Sequence, residues 1–298
     1  MAAVDPVPSP PRTSPRSFTT GHGTENDFVL LDDPEGELDL DAATVAALAD
    51  RRAGIGGDGV IRVVRTAAAG DAALPADLSG PVPAWFMDYR NGDGSIAEMC
   101  GNGVRVFAAH LRRAGHETAD RFDVLTRAGV RTVEILTVPD GDAGPWQVRV
   151  GMGTSRRGTT ARTVRIAGAA LPTLDVDMGN PHAVAFLPED VVLDDLDLST
   201  RPVLEPMPRS GTNIELVSWR GDHHVAMRVF ERGVGETRSC GTGACAVAVA
   251  AAHVAGDESG TPWRVDVPGG TLEVGRDADG QVTLSGPAVL VADGTLLD

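Results

Sequence analysis

Two related α/β domains facing each other across a shared cleft are the fold class that this 298-residue sequence predicts. Three observations carry that prediction. Short apolar, β-branched runs alternate with helical patterns along the chain. Two of those helices open on a glycine turn headed by a cysteine, Cys100 in MCGNG and Cys240 in SCGTG. The downstream spacing repeats as well, since Gly129 in TRAGVRTVEI and Gly269 in VPGGTLEV each lie 29 residues past their cysteine. Upstream, GHGTENDFVLL faces MGNPHAVAFL, each with a glycine, an asparagine and an apolar strand. An internal duplication accounts for this better than chance, and two copies set two equivalent turns across one cleft.

The elements follow in order. Residues 1–16 form a proline-rich stretch without an apolar core and read as a disordered tail, not a signal peptide. Phe28–Leu31 reads as a strand. Asp41–Arg52 places Val45, Leu48 and Ala49 on one helical face, and the glycines of Gly54–Gly59 stop that helix. Val60–Val64 and Trp85–Tyr89 are strands, separated by a surface excursion over 66–83 that is rich in Ala, Pro, Gly and Asp. The first glycine turn runs into a helix from about Gly103 to Arg113. Phe122–Thr126, Arg131–Val138 and Trp146–Val150 are strands. In the second half, Leu174–Asp177, Ala183–Leu187, Ile214–Ser218 and His224–Phe230 read as strands. The Ala/Val helix after Cys240 ends at Gly256, and Arg264–Val267, Thr271–Val274 and Val282–Leu284 complete the set.

Composition excludes several functions. With 42 acidic and 26 basic residues the net charge is −16, which repels nucleic acids and anionic membrane surfaces. The longest uninterrupted apolar run, Ala244–Ala252, is far short of the ~20 residues of a membrane span. Every basic residue is arginine, so a lysine Schiff base with pyridoxal phosphate is chemically out of reach. Three cysteines, an odd number without a secretory leader, point to a reducing cytoplasm. No cysteine, histidine or carboxylate cluster has the spacing of a metal site.

The duplicated turns carry the chemistry. Glycines admit close approach of a ligand, and the helix behind each turn aims free N–H groups and its positive dipole end at it. Such a place holds a carboxylate, and it lowers a cysteine pKa from ~8.5 toward neutrality. Two such cysteines across one cleft make a thiolate and a thiol on opposite faces of one carbon. One removes an α-proton, the other returns one, and the configuration inverts without a cofactor. Buried free cysteine is more often inert packing, which is the reading for Cys245, one turn into an Ala/Val helix. All five asparagines stand in or beside glycine-containing segments: Asn26, Asn91, Asn102, Asn180 and Asn213. Singly each is an ordinary turn residue; together they supply uncharged donors and acceptors for a zwitterion. Glu231 and Arg232 in FERGVGET are adjacent at a strand end and point to opposite sides. Arg232 suits a second substrate carboxylate, and Glu231 an ammonium or a thiol. His182 in GNPHAV is the remaining candidate.

From about Phe18 to the C-terminus the chain resembles the diaminopimelate epimerases, cofactor-independent enzymes of lysine and peptidoglycan-precursor synthesis. The segments GTENDF, NGDGSIAEMCGNGVR, MGNPH, TNIE, FERGVGETRSCGTGACA, VPGG and SGPAV fit in order. The resemblance implies two pseudo-symmetric domains, 17–151 plus 287–298 and 152–286, each a barrel-like, mainly antiparallel sheet around a central helix. It implies interconversion of LL- and meso-diaminopimelate with no cofactor and no metal, by a cytoplasmic homodimer. Cys100 and Cys240 match the two acid/base thiols, and His182 and Glu231 the residues that tune them. Asn26, Asn91, Asn180, Asn213, Glu231 and Arg232 match side-chain substrate contacts, and Gly101, Asn102, Gly241 and Thr242 the backbone cradles. Two positions depart from the family. Gly59 stands where many members carry Gln, so one contact there is lost or replaced. Ala292 stands where many carry a Tyr that helps the dimer form. A proline-type racemase shares a cysteine pair but typically has His in place of Asn102, and phenazine-type isomerases lack the pair. A small-ligand binding protein of the same duplicated fold, with packed thiols, is the non-enzyme alternative.

Overall fold

The structure, a computed structural model, describes residues 17–70, 74–75, 78, 80–141, 144–277 and 279–297. The 1–16 tail and parts of the 66–83 excursion therefore lie outside the described residues. The described chain folds into eighteen strands linked in one continuous sheet and three α-helices. The sheet closes on itself twice.

In the first ring, Ser17–Gly23 pairs antiparallel with Asn26–Asp32, which runs parallel to Gly59–Arg65. Gly59–Arg65 is antiparallel to Trp85–Asn91, and that strand is parallel to Arg121–Thr126. Arg121–Thr126, Gly129–Thr137 and Trp146–Gly153 follow as antiparallel neighbours. The long final strand, Val282–Thr295, closes the ring by pairing with both Trp146–Gly153 and Ser17–Gly23. The second half repeats the same sequence of pairings. Ala169–Asp177 is antiparallel to Pro181–Phe186, which is parallel to Asn213–Gly221. Asn213–Gly221, His224–Glu231, Trp263–Val267, Gly270–Arg276 and Val282–Thr295 then pair antiparallel, parallel, antiparallel and antiparallel. After Gly153 the chain continues into Arg156–Arg157, which pairs with Val176 and Asp177 and closes the second ring.

Each ring is filled by one helix. Helix α1 (Ala42–Ala49) lies outside, capped by Asp41, whose carboxylate accepts from Thr44 N–H at 2.7 Å, and it buries Val45 and Ala49. Helix α2 (Gly101–Arg113) occupies the first ring and is buried from Gly101 through Leu111. Helix α3 (Gly241–Ala255) occupies the second and is buried from Gly243 through Ala251. A helix enclosed on all sides has to be apolar all round, and α3 meets this with alanine, valine and Cys245, small enough for a narrow barrel. Gly256 closes it at φ 64°, a left-handed turn that favours glycine. One large core joins both barrels, with Val106, Phe107, Val148, Val150, Val247 and Leu284 among its members.

Five short or polar strands are absent from the sequence reading: Ser17–Gly23, Arg156–Arg157, Arg162–Ile166, Val203–Glu205 and Gly235–Thr237. Helix α2 also begins two residues earlier than expected, because its first glycines are helical rather than turn residues.

Candidate active site

Cys100 and Cys240 are the N-cap residues of α2 and α3, each with extended backbone (φ −140° and −125°). Each Sγ accepts a hydrogen bond from the N–H three residues on, Gly103 or Gly243, at 3.4 Å. The two caps are thus built alike, and they meet. A Cβ added to Gly241 would stand 3.4 Å from Gly101 Cα and 3.3 Å from Asn102 Oδ1, so the residue after each cysteine touches the other's turn. The free N–H groups of two helix N-termini converge there with no intrahelical acceptor.

Polar side chains knit the junction. Asn26 donates to Asp58 Oδ2 at 2.7 Å, while its Oδ1 faces Cys100 Sγ at 3.5 Å and accepts from Asn102 Nδ2 at 3.2 Å. Asn102, fully buried, also donates to the backbone oxygen of Ser239, the residue before Cys240, at 3.2 Å. Ser239 Oγ lies 2.6 Å from Thr24 Oγ1. Thr24 and Glu25 form a two-residue turn with φ of 51° and 61°, strained for a β-branched residue. That turn presses on the second half so closely that a Cβ at Gly269 would fall 1.8 Å from Thr24 O.

Around Cys240, Thr242 Oγ1 lies 3.6 Å from Sγ and accepts from Asn180 Nδ2 at 3.3 Å. His182 is sealed in the interior with Nε2 3.0 Å from Asn180 Oδ1 and Nδ1 2.6 Å from Glu215 Oε1. Asn213 Oδ1 accepts from Arg232 N–H at 2.8 Å. Glu231 is half-buried and accepts from Thr237 Oγ1, while the exposed Arg232 donates from its guanidinium to Ser210 O at 3.1 Å. Glu231 is the last residue of His224–Glu231, and Arg232 opens the turn that follows it. Asn91 sits at the end of its strand, bonded to Ser95 Oγ at 3.0 Å. Cys245 is wholly buried inside α3.

The electrostatics correct one expectation. A helix N-terminus was expected to bring the thiols toward neutrality. Burial wins instead, pushing the Cys100 thiol up to about 11. It pushes Cys240 well above its usual value, and the nearby Glu231 and Glu215 carboxylates add to that. Burial also raises Glu231, with Glu215 contributing in the same sense.

Two buried charges escaped the sequence reading. Glu215 is the partner of His182, and its second oxygen has no hydrogen-bond donor among the described residues. Its signal was the TNIE segment, from which only Asn213 was drawn. Arg105, one turn past Cys100, is fully buried and among the described residues donates only to Pro287 O, Gly101 O and Thr24 Oγ1. Burial pulls its pKa down to about 10, and Cys100 and Cys245 are the acidic groups that face it. A lone arginine in a helix reads as surface charge, so nothing in the sequence marked it.

Grooves of about 310 Å³ around His253 and Trp263, and about 620 Å³ around Arg228 and Asp266, lie elsewhere and include neither N-cap thiol. The fold is shared with the phenazine biosynthesis protein of the PhzF family from Bacillus anthracis (TM-score 0.68, 16% identity, 96% of this chain and 100% of that one). It is shared also with a hydroxyproline epimerase from Agrobacterium vitis (TM-score 0.61, 16% identity, 95% and 93%). At those identities the likeness is one of fold alone. Sequence similarity is far closer to the diaminopimelate epimerases of Streptomyces coelicolor, 53% identical over 93% of this chain and 94% of that one, and Thermobifida fusca, 48% over 93% and 96%. The family model for diaminopimelate epimerase matches residues 18–157 and 175–291, which takes in both cysteine turns and nearly every strand of both rings. On that match, and on relatives about half identical over 93% of its length, the chain belongs to the diaminopimelate epimerase family.

Proposed function

We propose that this chain interconverts LL- and meso-diaminopimelate by moving one α-proton between two thiols, with no cofactor, in the supply of lysine and peptidoglycan precursors. The observation that carries the reading is the pair of equivalent N-cap thiols at two helix N-termini that touch. The thiolate of one cysteine takes the α-proton, leaving the electron pair delocalised into the α-carboxylate. The S–H of the other delivers a proton to the opposite face. The first cysteine is left as thiol and the second as thiolate, ready for the reverse turnover.

Charge builds on the α-carboxylate during the reaction, and the converging N–H groups of Gly101, Asn102, Gly241 and Thr242 are the preorganised donors for it. Asn26, Asn91, Asn180 and Asn213 hold the zwitterion, and Arg232, whose guanidinium has no carboxylate partner among the described residues, takes the distal carboxylate. Glu231 and the His182–Glu215 pair hold the proton balance beside Cys240. The raised thiol pKa values suit this role: a thiolate formed in a dry site is a stronger base than one in water. The same reading divides the chain into domains 17–151 plus 287–298 and 152–286. It places a homodimer with reduced thiols in the cytoplasm, in keeping with three free cysteines.

The test is incubation of the protein with LL-diaminopimelate in D₂O. Meso product carrying α-deuterium is the expected result. A requirement for added pyridoxal phosphate, or loss of activity with a chelator, would overturn the mechanism.

A further inference from the structure

Tyr89 is the single tyrosine of the chain. It lies on Trp85–Asn91, two residues before Asn91, so the two side chains share a face of the strand. In the neighbouring strand Gly59 pairs directly with Asn91. A Cβ built on Gly59 would stand 2.5 Å from the Arg90 backbone oxygen, 2.6 Å from Tyr89 Cε2 and 3.2 Å from the tyrosine hydroxyl. The tyrosine ring and the backbone of its own strand therefore take the space that a side chain at position 59 would enter. Phe28 holds it edge-on, with centroids 5.7 Å apart and an interplanar angle of 79°. Phe28 in turn packs 3.5 Å from the Cβ position of Gly103, the residue whose N–H reaches Cys100 Sγ.

The ring is 7% exposed, yet its hydroxyl has no hydrogen-bond partner among the described residues and is not among the sealed polar atoms that lack one. A nearly buried phenol with an open, unpaired oxygen is what a ligand contact looks like before the ligand arrives. The ionisable groups that face it are Cys100, Asp58, Glu231 and Asp93. All are acidic. Together with burial they hold the phenol well above its usual value, so the oxygen keeps its proton. The surrounding acidic groups already offer acceptors for an ammonium; the phenol adds a neutral donor.

We infer that Tyr89 is a further substrate-contacting residue, whose hydroxyl donates to a carboxylate oxygen of the bound amino acid in the Cys100 half of the cleft. The inference rests on the reading under Proposed function, since it needs a carboxylate-bearing substrate beside Cys100.

A single tyrosine makes the test direct. Protein labelled with ¹³Cζ tyrosine gives one labelled resonance, at the carbon bearing the hydroxyl, which should shift when meso-diaminopimelate is added. Tyr89→Phe keeps the ring and removes only the oxygen, so it should fold as the parent does. Its KM for diaminopimelate should rise about tenfold, the effect of one hydrogen bond to a charged group, with kcat changed less than about twofold. An active enzyme with an immobile tyrosine resonance and a parental KM in Tyr89→Phe would overturn the inference. A protein that does not epimerise diaminopimelate, yet whose tyrosine resonance moves with it, would overturn the proposed reaction and leave this contact standing.

Discussion

Cys100 and Cys240 cap their helices in the same way, yet their surroundings differ in charge. Both face the Glu231 carboxylate, but Cys240 also faces the buried Glu215, whereas Cys100 has the Arg105 guanidinium one turn behind it. Because each half-reaction needs one base and one acid, Cys100→Ala or Cys240→Ala alone should reduce epimerisation by at least about 10²-fold. Cys245→Ala should keep most of the activity; a folded but dead Cys245→Ala protein would contradict the assignment. Glu231 offers a separate check through pH. Its folded-state pKa is raised, so folding favours the neutral acid, and that advantage is present at low pH and lost as pH rises through the folded value. Glu231→Gln should therefore melt about a degree or two above the parent at pH 8, converge with it near pH 3.5, and lose activity at both ends. An unchanged melting difference across that range would show that Glu231 is not the group being titrated. At this scale the cysteines, His182 and the asparagines were legible, since glycine-flanked polar residues stand out in any sequence. Arg105, Glu215 and Tyr89 were not. Each sits in an otherwise ordinary helix or strand pattern, and only the enclosing barrel tells a buried charge or phenol from a surface one.

Helices α2 and α3 are placed by contact at their first residues. Gly241 has Leu284 Cδ2, Asn102 Oδ1 and Gly101 Cα at 3.1, 3.3 and 3.4 Å from where a Cβ would stand. Gly241→Ala should push the two N-termini apart by a few tenths of an ångström. We expect a stability loss of about 1–2 kcal/mol and a loss of turnover well beyond it, because the donors and both thiols lose register together. Gly256→Ala, at the far end of α3 in the left-handed conformation, should cost about 1 kcal/mol with turnover intact. Thermal melts and initial rates on the same two proteins separate the effects. Helices α2 and α3 were read to within about two residues, because glycine turns and all-apolar periodicity are strong signals, whereas α1, read as Asp41–Arg52, ends at Ala49, where Asp50 takes extended backbone. The last strand was read as three residues and is fourteen long, Val282–Thr295. Gly286 and Pro287 in its middle look like a break. They are instead where its pairing with Gly270–Arg276, which ends at Ser285, has stopped, while pairing with Trp146–Gly153 continues to Ala288 and pairing with Ser17–Gly23 begins at Val289. Pro287 O is also one of the acceptors of Arg105.

At the scale of the whole molecule the two thiols belong to different barrels, so their distance depends on how tightly the halves close. With no substrate between them, closure brings them toward disulfide geometry, which needs Cα atoms about 4.4–6.8 Å apart. The protein should lose activity in air and regain it with a thiol reductant, and bound substrate should protect it. Peptide maps of the oxidised form should show Cys100 joined to Cys240 with Cys245 free; a bridge to Cys245 would refute the arrangement.

The long strands that close the rings hold a record of how the molecule was assembled. Trp146–Gly153 follows Gly129–Thr137 and then runs on, through Arg156–Arg157, to the first hairpin of the second half. Val282–Thr295 does the mirror operation, leaving Gly270–Arg276 for the first hairpin of the first half. Each copy thus lends its terminal stave to the other, the arrangement of a strand-exchanged dimer fused into one polypeptide. A gene cut after residue 157 would yield two fragments that each lack a closing stave, Val282–Thr295 in the first and Trp146–Gly153 with Arg156–Arg157 in the second. Expressed apart they should stay unfolded, and expressed together they should reconstitute one enzyme from two chains, as the unfused ancestor would have done.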